Sequence, residues 1–592
     1  MNDLHEREHP SGKVLVLGDD TRSFLTVVRS LGRKGLEVHV APLSFSTPAL
    51  ASRYVRRVHR LPYYTGDGAS WLTAVENLLI HEKFDLVIPC DDRFFIPFQL
   101  HQARLGRQAR ITCINRAAFE AFYDKSKTRE LAASCGVPIA RGRELRSADD
   151  APLVFREFSP PYFLKAVSSY QAGNLYSRNK VLRFDSKRTL SKHIKTMDFA
   201  SAYIVEEQFE GIGVGLGVLA SEGKILQAFQ YRRVHEPPSG GGSSYRASMA
   251  AGADIHLACG RMLEAVNFTG VAMFEFRYNP VTKAWILIEV NGRFWGGLPL
   301  AVAAGVDFPY HLYRLTVHGE KAPQADYKTD FFARNLINDF YCTMQELSEV
   351  KNEGLLAFLG LLLTRLGEFW RLPFGAEALD TLVRDDPRPG FQEIGEFVAY
   401  ASGRLPGVKP VKDWLTRRRA RKAVHDVRSA ARGPLKVAFV CYGNICRSPF
   451  AGLLFEKRLR KFQSDGHKMI DIQAFSAGVY PVKGRASPGN AIEASRKWGL
   501  DLGGRRSNFL DDEDAGGADL IIAFDENNVK SIRERHPDIT APVILLGALS
   551  GPRRTPLQIE DPYGGDLARF VQIYDQIARG VDALLEMVSS GR

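Results

Sequence analysis

The sequence predicts a multidomain protein of the α/β class with two separate parallel sheets. Its 592 residues exceed what one hydrophobic core supports, so we expect two to four domains. Short apolar runs alternate with helical patterns in residues 1–118 and again in residues 433–592. Residues 119–320 favour paired strands, and residues 321–432 favour helices. The predicted order is therefore an α/β domain, an α+β domain, a helical connector and a smaller domain with a doubly wound parallel sheet.

Composition is that of an ordinary globular protein, with 45% hydrophobic and 25% charged residues. The seven cysteines form no CxxC pair, which argues against a disulfide framework or zinc site and favours the cytoplasm. The first residues are polar and charged, so we expect no secretory signal. A net charge of +12 suits phosphorylated or acidic partners and equally a generic surface. No pattern indicates nucleic-acid binding.

The first domain is predicted from four apolar runs, KVLVLG, EVHVAP, FDLVIPC and ARITCI. Helical patterns such as FLTVVRSLGRKG separate them, and this alternation implies a small parallel sheet. GDDTRS follows the first run where a dinucleotide-binding protein would carry GxGxxG, so that fingerprint is absent.

The second predicted domain carries two lysines, an acidic hinge and a hairpin. Lys125 precedes an amphipathic helix, and PYFLKAV puts Lys165 at the end of a strand. YIVEEQFEGIG (203–213) reads as a strand that leads into an acidic hinge. GVAMFEFRYNPVTKAWILIEVNGRFWGG (270–297) is predicted to be a hairpin with its turn near Asn279-Pro280.

The faces of this hairpin bring acidic residues together. Because side chains alternate along a strand, Glu289 and Asn291 share a face. A turn centred near residue 281 places Glu275 diagonally across from Glu289 on that face. Two carboxylates and an amide there would suit magnesium with phosphate as a co-ligand. On spacing alone, surface carboxylates that never meet are an equal alternative.

In this order the segments resemble the ATP-grasp superfamily over about residues 10–320, especially its biotin-carboxylase-like and D-aspartate-ligase-like members. The resemblance implies a pre-ATP-grasp domain, an ATP-grasp domain, and ATP with magnesium or manganese. The reaction implied is activation of a small carboxylate as an acyl-phosphate, which an amine then attacks. By this resemblance, Lys125 and Lys165 would contact the nucleotide phosphates, and Arg293 would contact the phosphate in transfer. The adenine would contact Glu206, Glu207 and Phe209, and the ribose would contact Glu210. The metal would be bound by Glu275, Glu289 and Asn291.

Two loops leave the function of this half open. The loop SSYQAGN (168–174) holds one glycine where ATP-grasp enzymes usually hold several. This favours a second hypothesis, a nucleotide sensor that regulates the C-terminal domain, and a third keeps phosphoryl transfer but to a protein or carbohydrate. QYRRVHEPPSGGGSSY (230–245) resembles a substrate loop in which Arg232 or Arg233 holds a carboxylate, and a flexible surface loop explains it nearly as well.

The connector holds one strongly apolar stretch, LLAFLGLLLTRLGEFW (355–370). Thr364 and Arg365 interrupt it, so it falls short of the roughly 20 apolar residues that span a bilayer. We expect a buried helix, and peripheral membrane contact by an interfacial helix is the less favoured alternative. RRRARK (417–422) is expected to form the solvated face of a linker helix, and ARGPLK (431–436) marks a domain junction.

VAFVCYGNICRSP (437–449) joins a strand, a cysteine and the start of a helix. Proline near the first helical turn is favourable, and backbone N–H groups at such a start create an anion site. Arg447 can add a guanidinium contact to phosphate, and the same positive field favours thiolate at Cys441. CGVPIAR (135–141) has the same C-x5-R spacing without the strand or the helix, so we interpret it as coincidence.

CYGNICRS resembles the phosphate-binding loop of low-molecular-weight protein tyrosine phosphatases. FSAGVYPVKGRASP, ADLIIAFD and EDPYGG follow in that family's order across roughly 435–590. The resemblance implies a cysteinyl-phosphate mechanism acting on a phosphotyrosine protein or another phosphomonoester. It makes Cys441 the nucleophile, Arg447 the phosphate clamp, Ser448 the support of the thiolate, Asn444 the holder of the loop and Asp561 the general acid.

Three neighbouring residues refine this prediction. Tyr563 could flank an aromatic substrate, and Cys446 could trap the nucleophile in a reversible disulfide. Arginine-phosphate phosphatases of this family usually carry Thr at the position of Ile445, so Ile445 favours phosphotyrosine, although EDPYGG resembles that subgroup too.

Overall fold

The computed structural model describes residues 12–170, 175–176, 178–197, 199, 201–237, 242–351, 354–402, 408–464, 471–551 and 556–589. They form two compact units, Met1–Leu43 with Thr47–Phe397, and Ser44–Ser46 with Val398–Arg592. The polar N-terminal segment, residues 171–174 of the SSYQAGN loop and residues 238–241 of the predicted substrate loop lie outside the described residues.

The first unit opens with a four-stranded parallel sheet in the order β3-β2-β1-β4. Its elements are β1 (Lys13–Leu17), α1 (Ser23–Arg33), β2 (Glu37–Ala41), β3 (Val55–Val58), α2 (Ala69–Glu82), β4 (Leu86–Pro89), α3 (Asp92–Leu100), α4 (Gln102–Leu105) and α5 (Arg116–Tyr123). The predicted parallel sheet is confirmed, but the predicted strand ARITCI is wrong, since Ile111 only bridges to Val87. The fourth strand is β3, a largely exposed edge strand whose VRRV sequence shows no apolar run.

Two sheets follow whose strands are antiparallel, as predicted, except for one parallel pair at the edge of the larger sheet. The smaller sheet is formed by β5 (Gly142–Leu145), β6 (Tyr162–Ala166), β7 (Leu182–Phe184) and β8 (Tyr203–Glu207), in the order β5-β8-β6-β7. Its accompanying helices are α6 (Lys125–Ser134), α7 (Ala151–Glu157) and α8 (Lys187–Ile194). The larger sheet begins with β9 (Ile212–Ser221), β10 (Lys224–His235), β11 (Tyr245–Met249), β12 (Gly270–Tyr278) and β13 (Trp285–Asn291) and ends with β14 (Phe332–Arg334) and β15 (Glu377–Leu379). Its strand order is β13-β12-β9-β10-β11-β14-β15. The helices of this part are α9 (Ala253–Ala265), α10 (Leu298–Ala304) and α11 (Phe308–His318).

Alternate glycines on β9 shape the face of the larger sheet. A Cβ on Gly215 would lie 2.4 Å from the Tyr231 ring, and one on Gly217 would lie 2.1 Å from the Trp295 ring. Both aromatic side chains are buried and belong to a core shared with the parallel sheet. Small residues on one face of β9 therefore let this aromatic layer lie directly against the backbone.

The predicted connector is mainly helical but also extends the larger sheet. Its elements are β14 (Phe332–Arg334), α12 (Leu336–Val350), α13 (Leu355–Glu368), β15 (Glu377–Leu379) and α14 (Arg388–Ser402). The prediction of a buried helix at 355–370 is wrong, because no residue of α13 is buried. Its two charged residues turn inward and its leucines outward, which an apolar composition alone does not reveal. Within the described residues, no helix has the length and apolarity to cross a bilayer.

The second unit is built on a parallel sheet in the order β17-β16-β18-β19. Its elements are α15 (Val408–Ala430), β16 (Leu435–Cys441), α16 (Arg447–Ser464), β17 (Ile472–Gly478), α17 (Gly489–Ser495), α18 (Asp512–Gly517), β18 (Leu520–Ala523), α19 (Glu526–Arg535), β19 (Val543–Leu545) and α20 (Leu567–Ser589). The four strands match the predicted apolar runs. β17 lies on one side of β16, and β18 and β19 lie on the other, so the strand order switches at β16. A ligand crevice is expected at this switch point, at the carboxyl ends of the strands.

Helix α15 is part of the second unit rather than a free linker. Ala420 and Val424 lie in the core of this unit, and Arg417 donates to the carbonyls of Gly547 (2.6 Å) and Ser550 (2.5 Å). The predicted solvated face is therefore wrong for Arg417, the first residue of RRRARK, while the arginines that follow it are exposed.

Candidate functional sites

The strand, loop and helix predicted around Cys441 are present, and they aim hydrogen-bond donors at its sulfur. Cys441 is the last residue of β16, and α16 begins at Arg447. The backbone N–H of Asn444 donates to Cys441 Sγ at 3.2 Å, and Ser448 Oγ lies 3.1 Å from the same sulfur. Asn444 has φ 51°, a left-handed conformation that Asn tolerates better than most residues.

The Asn444 side chain ties the loop to its surroundings. Its Nδ2 donates to Ser448 Oγ (2.9 Å) and Ser476 Oγ (3.1 Å), and its Oδ1 accepts from the backbone N–H of Asn508 (2.7 Å). Gly478 lies under the loop, where a Cβ would be 3.0 Å from the Asn444 nitrogen. Sequence reasoning missed Ser476 and Asn508, although the FSAG segment that resembles the family contains Ser476.

Arg447 connects the loop to two carboxylates. Its Nη1 donates to Asp525 (2.6 Å) and to the Ile559 carbonyl (2.9 Å), and its Nη2 donates to Asp561 (2.6 Å). Burial opposes the charge, but attraction by Cys441, Asp561 and Asp525 outweighs it and raises the pKa of Arg447. The site therefore holds a permanent cation beside the sulfur and brings Asp561 to the same point.

The other residues singled out around the loop differ in exposure. Tyr442 and Tyr563 are exposed, whereas Cys446 and Ile445 are buried. Burial, with the negative charges of Asp561 and Cys441 nearby, raises the pKa of the Cys446 thiol, so Cys446 stays protonated at neutral pH.

The second C-x5-R segment forms no such loop. Cys135 caps the end of α6, and its Sγ lies 3.7 Å from the Arg261 carbonyl. Arg141 is paired with Glu207 at 3.3 Å. Neither residue is part of a strand–loop–helix anion site, as predicted from the sequence around them.

In the first unit, a cleft lies between the smaller sheet and the larger sheet. Its charged and amide-bearing lining residues are Asp92, Lys125, Arg129, Glu206, Glu289 and Asn291. Four of these were predicted as ATP-site residues. Among the described lining residues, the predicted nucleotide contacts Glu207, Phe209 and Glu210 do not occur.

Of the two predicted phosphate-binding lysines, Lys125 lines the cleft, and Lys165 lies beside it through its contact with Glu206. Lys125, at the start of α6, donates from Nζ to Ser169 Oγ at 3.0 Å. Burial, helped by the nearby cation Lys165, lowers the pKa of Lys125. Lys165 on β6 forms an ion pair with Glu206 (2.5 Å), which also accepts from Arg129 (2.9 Å). Glu206 is therefore already compensated by two cations.

The predicted metal ligands meet on the hairpin, with one correction. Glu275 lies directly opposite Glu289 rather than diagonally, because a bulge at Ile288 inserts an extra residue in β13 and shifts the register. Burial and the facing charge of Glu289 raise the pKa of Glu275, although Arg233 lies 2.6 Å away. Burial acts the same way on Glu289, but a hydrogen bond from Asn291 (3.0 Å) and nearby cations prevail and lower its pKa.

Arg293 stands beside this hairpin end in a bidentate pair that sequence reasoning missed. Its Nε and Nη2 donate to the two oxygens of Asp92 at 2.5 and 2.8 Å, and Nη2 lies 3.3 Å from Asn291 Oδ1. These contacts raise the pKa of Arg293 against the effect of burial.

The donor set in and directly beside the cleft fits magnesium and a polyphosphate. Glu275, Glu289 and Asn291 supply only oxygen donors from one end of a hairpin, the ligand type that a hard divalent cation prefers. Lys125 and Lys165 supply positive charge for phosphate from α6 and β6.

A separate polar cluster lies on the parallel sheet. His39 Nδ1 faces His59 Nε2 at 2.8 Å, and Glu82 lies 3.8 Å from His39. Lys13 (2.9 Å) and Arg57 (2.8 Å) already neutralise Glu82. Burial and the His39 charge lower the pKa of His59 to about 4.

A sequence model of the family "Low molecular weight phosphotyrosine protein phosphatase" matches residues 436–591. A probable low molecular weight protein-tyrosine-phosphatase, EpsP of Ralstonia nicotianae, is 32% identical over 147 residues, which are 25% of this chain and 91% of EpsP. The low molecular weight phosphotyrosine protein phosphatase of Sus scrofa is 32% identical over 155 residues, 26% of this chain and 94% of that protein. The chain belongs to the low molecular weight phosphotyrosine protein phosphatase family.

This phosphatase family accounts for the second unit, and an ATP-grasp domain accounts for part of the first. A model described as ATP-grasp in the biosynthetic pathway with Ter operon matches residues 200–336. An L-amino acid ligase from Bacillus licheniformis is 16% identical in structural comparison, over 53% of this chain and 77% of that one, with a TM-score of 0.41. The two family matches confirm both resemblances, and both families consist of enzymes. The described sheets confirm the predicted fold class.

Proposed function

We propose that this chain is a bifunctional enzyme of the cytoplasm, an ATP- and magnesium-dependent ligase joined to a phosphotyrosine phosphatase. The observation that carries the phosphatase half is Arg447, which pairs with Asp561 and lies in the field of Cys441, the sulfur that accepts from the loop. The observation that carries the ligase half is the cleft between the smaller and larger sheets, where Lys125 lies with the side-chain oxygens of Glu206, Glu289 and Asn291. Seven free cysteines suit a reducing compartment.

In the phosphatase reaction, Cys441 attacks phosphorus and forms the S–P bond while the P–O bond to the phenol breaks. Asp561 donates the proton that the departing phenolate requires and then takes one from the water that hydrolyses the cysteinyl-phosphate. Ser448 and the Asn444 N–H stabilise the sulfur as thiolate before attack and after release. Arg447 exchanges its Asp561 contact for phosphate oxygens, which frees that carboxyl for the leaving group.

Phosphotyrosine is the substrate class that we propose for this site. Tyr442 follows the nucleophile directly and Tyr563 follows Asp561 by two positions, and both rings are exposed. Aromatic rings beside a phosphate site suit a phenyl phosphate ester. Ile445, which is buried within the loop, stands where the arginine-phosphate enzymes usually carry Thr.

In the ligase reaction, a small carboxylate accepts the terminal phosphoryl group of ATP, and an amine displaces phosphate from the acyl-phosphate. Lys125 and Lys165 hold the nucleotide phosphates, and Arg293 stabilises the phosphate in transfer. Magnesium, or manganese, bound by Glu275, Glu289 and Asn291 would neutralise phosphate charge. We assign the adenine and ribose to the segment Glu206–Glu210 by its resemblance to the superfamily: Glu206, Glu207 and Phe209 to the adenine and Glu210 to the ribose.

Arg233 is the better candidate for holding the substrate carboxylate. It lies 2.6 Å from Glu275, beside the metal ligands, whereas Arg232 is directed toward the Phe332 ring, 6.0 Å from its centroid. A carboxylate substrate at Arg233 would replace Glu275 as its partner and leave that carboxylate available to the metal.

The test uses the Cys441→Ser variant, in which the phosphatase cannot remove products. ADP release from ATP and magnesium is followed across a panel of amino acids, small carboxylates and amines. Release that requires one carboxylate–amine pair would establish the ligase. Tight ATP binding without ADP release would favour the sensor, and stable transfer of labelled γ-phosphate to a protein or carbohydrate would favour the phosphotransferase.

A further inference from the structure

Helix α13 presents its leucines to the outside of the first unit. Leu356, Leu363 and Leu366 are 87%, 67% and 57% exposed, and Trp370, just beyond the helix, is 69% exposed. A surface helix of a globular protein normally turns its apolar stripe toward the core and its charged face outward. α13 has the reverse orientation.

The helix is attached by its polar side. Its only charged residues, Arg365 and Glu368, have side chains 16% and 12% exposed. Arg365 pairs with Glu346 on α12, and Glu368 lies 3.2 Å from His235 on β10. His235 is buried and bonded to Asp339 at 2.7 Å. The charges of α13 therefore hold it against a buried polar network, and its outer face is left without any charge.

This outer face is too broad for contact with a single partner helix. At about 100° per residue, its exposed leucines, glycines and Trp370 cover roughly 140° of the circumference. A seam between two coiled helices uses a narrower stripe of two positions per heptad. Breadth without charge is what a helix lying in an apolar phase requires.

More exposed apolar side chains lie on α12, to which α13 is linked by the pair Glu346–Arg365, and in the segment after α13. Phe374 follows Trp370 and is exposed, and Phe340, Tyr341 and Met344 are half exposed on α12. Tryptophan and tyrosine are the residues enriched where protein meets the boundary between water and lipid. Exposed leucines and aromatic side chains gathered on one helix face are the kind of apolar surface that marks an interaction site.

We propose that α13, with Trp370 and Phe374, docks this protein onto a lipid bilayer, the helix lying in the plane of the interface. The leucines enter the acyl boundary, and Arg365 and Glu368 remain on the protein side. Because the docking face carries no charge, binding comes from apolar burial and depends little on lipid charge or salt. This inference is independent of both proposed activities.

The test is flotation of the full-length chain with pure phosphatidylcholine vesicles, at low and high salt. We expect the wild type to float with the vesicles under both conditions. Leu356→Glu combined with Leu363→Glu should weaken partitioning at least about a hundredfold, because each exposed leucine that is buried contributes more than tenfold. Val281→Glu is the matched control, since Val281 is equally exposed but lies in the hairpin turn, and it should float like the wild type.

Flotation of the double variant to the same extent as the wild type, or no flotation of the wild type, would overturn the proposal. Sedimentation velocity without lipid tests a second copy of the chain as the occupant. A wild-type dimer that the double variant dissociates, with no vesicle binding, would make α13 a dimer face instead. Equal hydrolysis of an aryl phosphate and equal unfolding temperatures among the variants show that exposed substitutions left the fold intact.

Discussion

The phosphatase loop and the ATP-grasp cleft assemble their functional groups in opposite ways. In the loop, the residues that we propose as nucleophile, thiolate support, loop holder and cation all fall within positions 441–448, and bonds among them fix the geometry. In the cleft, the groups come from both antiparallel sheets and from helices α3 and α6. There, cations and carboxylates neutralise one another, as Arg293 does Asp92 and Lys165 does Glu206.

The difference separates preorganisation from charge compensation. The loop donors already point at the sulfur, so a phosphate needs little rearrangement beyond the release of Asp561. In the cleft, ligands must exchange with existing ion pairs, such as Arg233 with Glu275. We therefore expect single substitutions in the loop to remove activity outright, and those in the cleft to act mainly through the affinity for metal and nucleotide.

The largest expected effect is at the nucleophile. Cys441→Ser should reduce hydrolysis of p-nitrophenyl phosphate to background, because a serine hydroxyl in this loop does not ionise to replace the thiolate. Cys135→Ser should keep the wild-type rate, since Cys135 only caps α6. Measurable turnover by Cys441→Ser, or its loss in Cys135→Ser, would contradict the assignment of the loop.

The second effect concerns the general acid. Asp561→Asn should slow turnover of aryl phosphates by roughly a hundredfold or more, the scale on which a positioned acid contributes. The loss should be greatest with a phenol of high pKa, which needs the proton most, and smaller with p-nitrophenol. A rate independent of the leaving group would remove Asp561 from this role, and Asp566→Asn, at a nearby acidic residue, serves as the control.

The third effect tests the cleft by binding instead of rate. Glu289→Gln should weaken magnesium-dependent ATP binding by at least about 10-fold to 100-fold, because it removes a ligand charge from the proposed metal site. Calorimetric titration of ATP with and without magnesium measures it. Glu264→Gln, at an exposed position on α9, is the control, and aryl phosphate hydrolysis should remain unchanged in both. Equal magnesium dependence in Glu289→Gln and wild type would exclude Glu289 as a ligand.

The smallest expected effect is a loss of stability of the first unit at acidic pH. The pKa of His59 is about 4 in the folded chain and 6.5 in the unfolded chain. Between these two pH values the unfolded chain therefore binds a proton that the folded chain does not bind. Acid therefore destabilises the first unit as the pH falls from 6.5 toward 4. His59→Gln should reduce the drop in unfolding temperature between pH 7 and pH 5, and His81→Gln, at an exposed site, should not. An unchanged drop in His59→Gln would refute this coupling.

The sequence predicted the loop far better than the cleft. Cys441, Asn444, Arg447 and Ser448 interact over a few residues, so their spacing already contains the geometry. Asp525 was missed because its partner Arg447 is 78 positions away. The direct pairing of Glu275 with Glu289 was missed because a bulge cannot be counted from turn position alone.

Long-range pairing also explains the errors in the fold. β3 is a polar edge strand that is defined by its pairing with β2. Its sequence contains no apolar run from which a strand could be predicted. α13 was expected to be buried because composition was the only guide, whereas its orientation depends on Glu346 and His235 in distant elements. The order of the ATP-grasp segments can be read from the sequence. The contacts of Asp92 with Arg293 and of Arg129 with Glu206 cannot, because they depend on how the sheets pack together.

Helix α15 sets the minimum length of a phosphatase that could be excised from this chain. Ala420 and Val424 fill part of its core, and Arg417 satisfies two carbonyls near the end of β19. A fragment beginning at residue 433 would open that part of the core to water and leave both carbonyls without their cation. An autonomous catalytic fragment therefore has to start near residue 408, well before the Gly-Pro break that looks like the boundary.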